Sequence, residues 1–215
     1  MCYTAERDFD VTATTIRLAE NCHTDAMPLV RELFFKNAEF DTSSAAFALA
    51  CLVLTRQYVG EQAEYESMVL GIETMHAIAV MFPWLVNVQP IDAMNRVHAL
   101  GELDIACGPA RLAPLAVAAS GHVPLITLDW SGDIVDQPSR SSAGFRLGRY
   151  FTNAGLITDD VSVSIAIALM HGGTALRNIY VRLPLEQPPQ PYLALKAGLE
   201  TIGIALNFVE SDGRR

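Results

Sequence analysis

Several things are scarce in this 215-residue chain, and each scarcity removes a class of function. Lys and Arg number 15 against 24 Asp and Glu, a formal charge of −9. Backbone binding to nucleic acid runs on clustered cations, so nucleic acid is not an expected partner. No apolar run approaches the about 20 residues that span a bilayer; the longest uninterrupted one, Ala45 to Leu54, is followed by Thr-Arg-Gln. The first residues, MCYTAERDFD, are charged early and hold no apolar core of signal-peptide length. The expectation is a chain with neither a signal peptide nor a transmembrane segment of its own.

Cysteine is equally sparse. Cys2, Cys22, Cys51 and Cys107 are scattered without CxxC spacing, and two of them sit in apolar runs, where a thiol is usually a plain small hydrophobe. They leave the compartment open, and an extracellular chain would allow a Cys2–Cys22 or Cys22–Cys51 disulfide. The five histidines (His23, His76, His98, His122, His171) form no pair at metal-ligand spacing, so structural roles are expected and no metal is. No Ser-His-Asp or Cys-His signature nominates a nucleophile, and no repeat of solenoid period is visible. Neither a catalytic constellation nor a cofactor is expected.

What is present is apolar bulk, 51% hydrophobic against 18% charged, enough for a well-buried core. The most informative stretch runs from Gly101 to Trp130. A short apolar run, Leu103 to Cys107, reaches Gly108-Pro109. A helical run, Ala110 to Ser120, follows, with Leu112, Leu115, Ala116 and Ala119 at helical spacing. A second apolar run, Val123 to Leu128, opens after Gly121. The pattern predicts strand, helix and strand, with the two strands parallel. The dipeptide is where the strand would end and the helix begin: Gly108 tolerates a close backbone approach, and Pro109 lacks an N–H that a first helical turn leaves unpaired.

Elsewhere the patterns predict an edge strand over Phe9 to Ile16, a short helix over Met27 to Asn37, and a buried helix over Ser44 to Tyr58 capped from Asp41, Thr42 or Ser43. A helix over Glu61 to Ala79 follows, then a short strand at Trp84 to Val88 and a helix over Ile91 to Leu100. SGDIVDQPSRSS, after Trp130, has turn chemistry. The last third predicts an element over Ala143 to Tyr150, a helix over Asp159 to His171 stopped by Gly172-Gly173, a strand over Asn178 to Leu183, a helix over Tyr192 to Thr201 and a strand over Ile204 to Val209. The fold class is α/β, a mostly parallel sheet flanked by helices.

The order of parts from Leu103 to Val209 resembles the receptor ligand-binding region of the type I periplasmic-binding-protein family, the two-lobed fold of bacterial amino-acid-binding proteins and receptor guanylate cyclase ectodomains. The likeness rests on Asp104-Ile-Ala-Cys-Gly-Pro109, Leu115 to Ala119, Val123 to Thr127, the aromatic-arginine pair Phe145-Arg146, Thr174 to Arg182 and Leu193 to Val209. It implies a division into residues 1–100, a helix-rich and poorly matched first-lobe part; 101–134, the end of that lobe; and 135–215, an incomplete second lobe. It further implies an extracellular receptor region, or a fragment of a receptor guanylate cyclase, holding a small molecule or peptide in an inter-lobe cleft. A membrane would enter only through other segments, and the resemblance leaves room for a homodimer.

Carried over by position, the ligand would meet Ala110, Arg111, Thr127, Asp129, Trp130 and Ser131, with the Ala110 and Arg111 N–H groups placed to receive a carboxylate. The chain departs from the family where Ala110-Arg111 stands in place of a hydroxyl residue after Gly-Pro. A competing resemblance links LDIACGPARLAPLA to the first motif of class I S-adenosylmethionine methyltransferases, with Asp104, Gly108 and Asp129 in the cofactor-holding positions. Pro109-Ala110 replaces that motif's second glycine, and few residues follow Asp129 for the strands such an enzyme needs. A non-catalytic interaction protein is the third reading.

Overall fold

The computed structural model describes the chain except positions 9, 11, 22 and 39 and residues 67–69, 93–100, 111–122, 133–146, 184–187 and 211–215. Ten strands and four α-helices follow one another as β1 (Cys2–Asp8), β2 (Ala13–Ala19), β3 (Glu32–Lys36), α1 (Ala45–Thr55), β4 (Gln62–Tyr65), α2 (Ile72–Met81), β5 (Asn87–Gln89), β6 (Leu103–Pro109), β7 (Leu125–Ser131), β8 (Leu147–Thr152), α3 (Asp160–Gly172), β9 (Leu176–Leu183), α4 (Gln190–Thr201) and β10 (Ala205–Glu210). The strands form one mostly parallel sheet in the order β10-β9-β6-β7-β8-β3-β2-β1-β4-β5.

That order contains a repetition that no sequence period announces. Three strands, a helix, a strand, a helix and a strand occur twice in succession, and the first five strands lie in the sheet as the mirror order of the last five. Equivalent parts also meet: β3 pairs antiparallel with β8, α1 packs on α3, and α2 packs on α4. The halves differ in how their first three strands connect. β1, β2 and β3 are antiparallel neighbours, whereas β6, β7 and β8 are parallel.

The core follows from local chemistry. All eleven residues of α1 are buried, as its unbroken Ala/Leu/Val/Phe composition requires. Ser44 begins it, accepting the Phe47 N–H at 3.1 Å, while Asp41 one turn earlier takes the Ser43 N–H. α3 is capped by Asp159, which accepts the Ser162 N–H at 2.9 Å. It ends at Gly172, whose absent Cβ would stand 2.8 Å from Leu176 Cδ1, and Gly173 follows with φ +50°. Gly203, with φ +83°, closes the turn after α4.

The second half agrees with its sequence pattern except at Gly108-Pro109. β6 and β7 are parallel, Ala106 opposite Thr127, and α3, β9, α4 and β10 lie within two residues of their expected bounds. The connecting residues 111–122 lie outside the described chain, as does the helix expected over Ile91 to Leu100 beyond Asp92.

The first half corrects several expectations. Of the edge strand expected over Phe9 to Ile16, Ala13 to Ile16 is strand, the start of β2, which pairs antiparallel with β1, and both strands are interior to the sheet rather than at its edge. Met27 to Asn37 forms no described helix: Glu-Leu-Phe-Phe-Lys is β3, with Leu33 and Phe35 inward and the residues between them outward. Gln62–Tyr65 is likewise extended, as β4. Tyr65 stacks on Tyr3 at 4.9 Å and donates to the Ala48 carbonyl at 3.0 Å, so a helix begins only at Ile72. Gly108-Pro109 are the last two residues of β6 rather than a helix start. Pro109 is tolerated there because pairing with β9 has ended at Cys107, leaving that flank without a ladder bond to lose. A Cβ on Gly108 would meet nothing within 4 Å, so no close approach holds the glycine.

Candidate functional site

Because β6, β7 and β8 are parallel neighbours, their carboxyl ends open on one side of the sheet onto a common space. There a cavity of about 380 Å³ is lined by Pro109 from β6, Trp130 and Ser131 from β7 with Gly132 beyond, Thr152 from β8, Asn153, Gly155 and Leu156 from the turn after it, and Asp160 at the start of α3.

Each wall is fixed by a separate bond. The Trp130 indole is 3% exposed, and its N–H donates to Ser164 Oγ of α3 at 3.0 Å. The same hydroxyl donates to the Asp160 carbonyl at 2.7 Å. A Cβ on Gly155 would sit 3.6 Å from the Trp130 ring, an ordinary contact distance, so the 3-10 turn Ala154–Leu156 lies against the indole. Thr152 Oγ1 accepts the Ala154 N–H. The Asn153 amide clamps the other half of the sheet, donating to the Glu32 carbonyl at 2.9 Å and accepting the Phe34 N–H at 3.0 Å. The cavity thus stands beside the β3–β8 seam.

Of the six residues nominated from sequence, Trp130 and Ser131 line this cavity. Trp130 does so while serving as core, the packing role and the wall role together. Ala110 adjoins it, but its N–H donates to the Trp130 carbonyl at 2.7 Å. The group expected to receive a ligand carboxylate instead closes the β6–β7 ladder. Thr127 and Asp129 alternate with the inward Leu128 and Trp130, which places them toward the other face of the sheet. Arg111 lies outside the described residues. Thr152, Asn153, Leu156 and Asp160 were not nominated. Asp160 falls at the start of the helix expected over Asp159 to His171; the others become neighbours only through strand order.

Electrostatics separate the acidic groups. Burial pushes the Asp129 carboxyl up against the opposing effect of Arg149, its cross-strand partner. Burial also acts upward on Asp159, but hydrogen bonds from Tyr192 at 2.5 Å and from Ser162, with Arg56 at 3.1 Å, outweigh it and hold this carboxyl below its usual value. Cys107 is fully buried and its thiol is pushed far up, which makes it a poor nucleophile. Tyr150 and His171 share a hydrogen bond between β8 and the end of α3, a structural use of the histidine.

The methyltransferase constellation is not assembled on the cavity. Asp104 is almost fully buried near the amino end of β6 and accepts the Asn178 amide at 2.7 Å. Among the described residues no group of three His, Cys, Asp or Glu is arranged to hold a metal ion. Cys2, Cys51 and Cys107 are free thiols, and position 22 lies outside the described residues. No described helix is long and apolar enough to cross a membrane. Neither a family model, nor a curated protein, nor a solved structure matches the chain.

Proposed function

We propose that the chain is the ligand-binding region of a receptor, exposed on the extracellular side of a membrane, and that a small molecule occupies the cavity at the carboxyl ends of β6, β7 and β8. The observation that carries this is the placement of that cavity where open α/β sheets receive ligands, with an aromatic wall and a few polar groups held rigidly by their own bonds. The resemblance of Leu103 to Val209 to receptor ligand-binding regions supports the same assignment. Against the methyltransferase alternative stand the engaged Asp104 and the orientation of Asp129 away from the cavity.

Thermal-shift screening with amino acids, and separately with S-adenosylmethionine, tests this. A ligand at about a hundredfold its Kd stabilises the native state by about 2.7 kcal/mol, which for a chain of this size is a rise of about 5–10 °C. The binding reading expects a shift with a small amino-acid-like ligand that is lost in Gly155→Trp, whose indole would fill the space beside Trp130. A shift with S-adenosylmethionine that survives Gly155→Trp and is lost in Asp129→Asn would overturn it in favour of the enzyme.

A further inference from the structure

Among the described residues seven large hydrophobic side chains are exposed, and four of them, Ile72 (60%), Trp84 (46%), Val86 (80%) and Ile91 (52%), flank one edge of the sheet. That edge is β5. It pairs with β4 on one side, Ala63 opposite Val88, and no described strand pairs with its other side. Ile91 is tied to the same region by its bridge to Leu70, two residues before Ile72. Trp84 is also held in place: its N–H donates to the Val59 carbonyl at 3.3 Å and its ring packs edge-on against Phe82 at 5.7 Å. A half-exposed indole fixed in this way presents apolar area at little further ordering cost.

We propose that this edge is a homodimer interface, in which β5 and its flanking apolar side chains meet the same surface of a second copy about a twofold axis. Charge points to a second copy as the occupant. The chain carries −9, yet from Thr74 to Ile91 there is no Asp, Glu, Lys or Arg, so β5 and the Trp84, Val86 and Ile91 side chains bring no charge of their own to a self-contact, and the acidic Glu64, Glu73 and Asp92 only border it. The exposed side chains of the strand, Asn87 and Gln89, are amides. Each carries both donors and an acceptor, as a self-complementary contact needs, and they already bond to one another at 3.3 Å. β5 has no lysine or inward charge of the kind that blunts free edges. Inside the molecule, β3 and β8, equivalent strands of the two topologically matching halves, already join edge to edge and antiparallel over a two-pair register. Pro90 keeps the β5 ladder short as well, so the four apolar side chains supply most of the contact.

The proposal does not depend on the ligand-binding reading, since the cavity is built on β6, β7 and β8. Sedimentation velocity of the full chain, from low-micromolar to hundreds of micromolar protein, is the test, with amide hydrogen exchange of residues 86–91 as a second measurement. The expected result is a concentration-dependent dimer, greater protection of those amides at high concentration, and loss of both in Val86→Lys. A like charge placed twice at the contact weakens association by more than about tenfold. Val86 is well exposed, so that substitution leaves the fold intact; Ile91→Lys serves as an independent second variant. A monomer at every concentration overturns the proposal, as does a dimer that survives both lysines without protecting residues 86–91.

Discussion

Gly198 lies where α4 crosses α2, and replacing it with alanine isolates the contact that ties the two halves together on that side. A Cβ at 198 would stand 2.1 Å from Met81 Cγ, 3.1 Å from the Met81 sulfur and 2.8 Å from the Ala77 carbonyl oxygen. Two effects compete. Alanine in a helix interior is favoured over glycine by about 1 kcal/mol. Overpacking costs about 1–3 kcal/mol, and here it falls in the upper part of that range, because Met81 can swing aside while the Ala77 carbonyl cannot move unless α2 does. The balance is a net loss of about 1–2 kcal/mol, or about 2–8 °C in Tm for a chain of this size. Urea unfolding should show a lower midpoint with an unchanged slope. Met81→Ala added to Gly198→Ala should relieve part of the strain and leave the part due to the carbonyl. Gly108→Ala is the internal contrast: with nothing within 4 Å of its Cβ, it should fall within about 0.5 kcal/mol of wild type. A Gly198→Ala chain as stable as wild type would refute the close crossing of α2 and α4.

Asp129 and Asp159 should respond to pH in opposite senses. Burial raises the Asp129 carboxyl in the folded chain, so the native state holds its proton more tightly than the unfolded one, and stability falls as pH rises through the folded value. Asp129→Asn should therefore melt higher than wild type at neutral pH, and the gain should vanish in acid; a lower Tm at neutral pH would contradict this. Asp159 is held low, so its contribution is present above the ordinary carboxylate value and lost as pH falls through the lower folded one. Asp159→Ala should lose about 0.5–2 kcal/mol at neutral pH through the missing cap of α3, and its deficit relative to wild type should shrink in acid, which equilibrium unfolding against pH would measure.

How legible the parts were depended on where the deciding partner lies. β6, α3, β9, α4 and β10 could be read from their punctuation: Asp159 before α3, Gly172-Gly173 and Gly203 after helices, and β-branched runs between them. β3 could not. Glu-Leu-Phe-Phe-Lys suits either period over five residues, and what makes it a strand is pairing with β2 and with β8, more than a hundred residues later. Glu61 to Ala79 carried apolar residues at helical spacing, but Tyr65 is placed by its stack on Tyr3, and among the described residues only the portion from Ile72 is helical. At the site, Trp130 and Ser131 were visible because a strand end was. Asn153 was not, because its role is to bind backbone groups of β3 across the seam.

Composition and local pattern settled that this is a buried α/β chain with parallel strands at β6 and β7, since alternation, helix caps and the hydrophobic total act within a few residues of one another. The doubled strand order, the pairing of β3 with β8 and the cavity walled by three strand ends and the turn after β8 were decided only in three dimensions. Backbone groups at a strand edge carry no sequence label for their partner, and a cavity is defined by the distances among residues far apart along the chain.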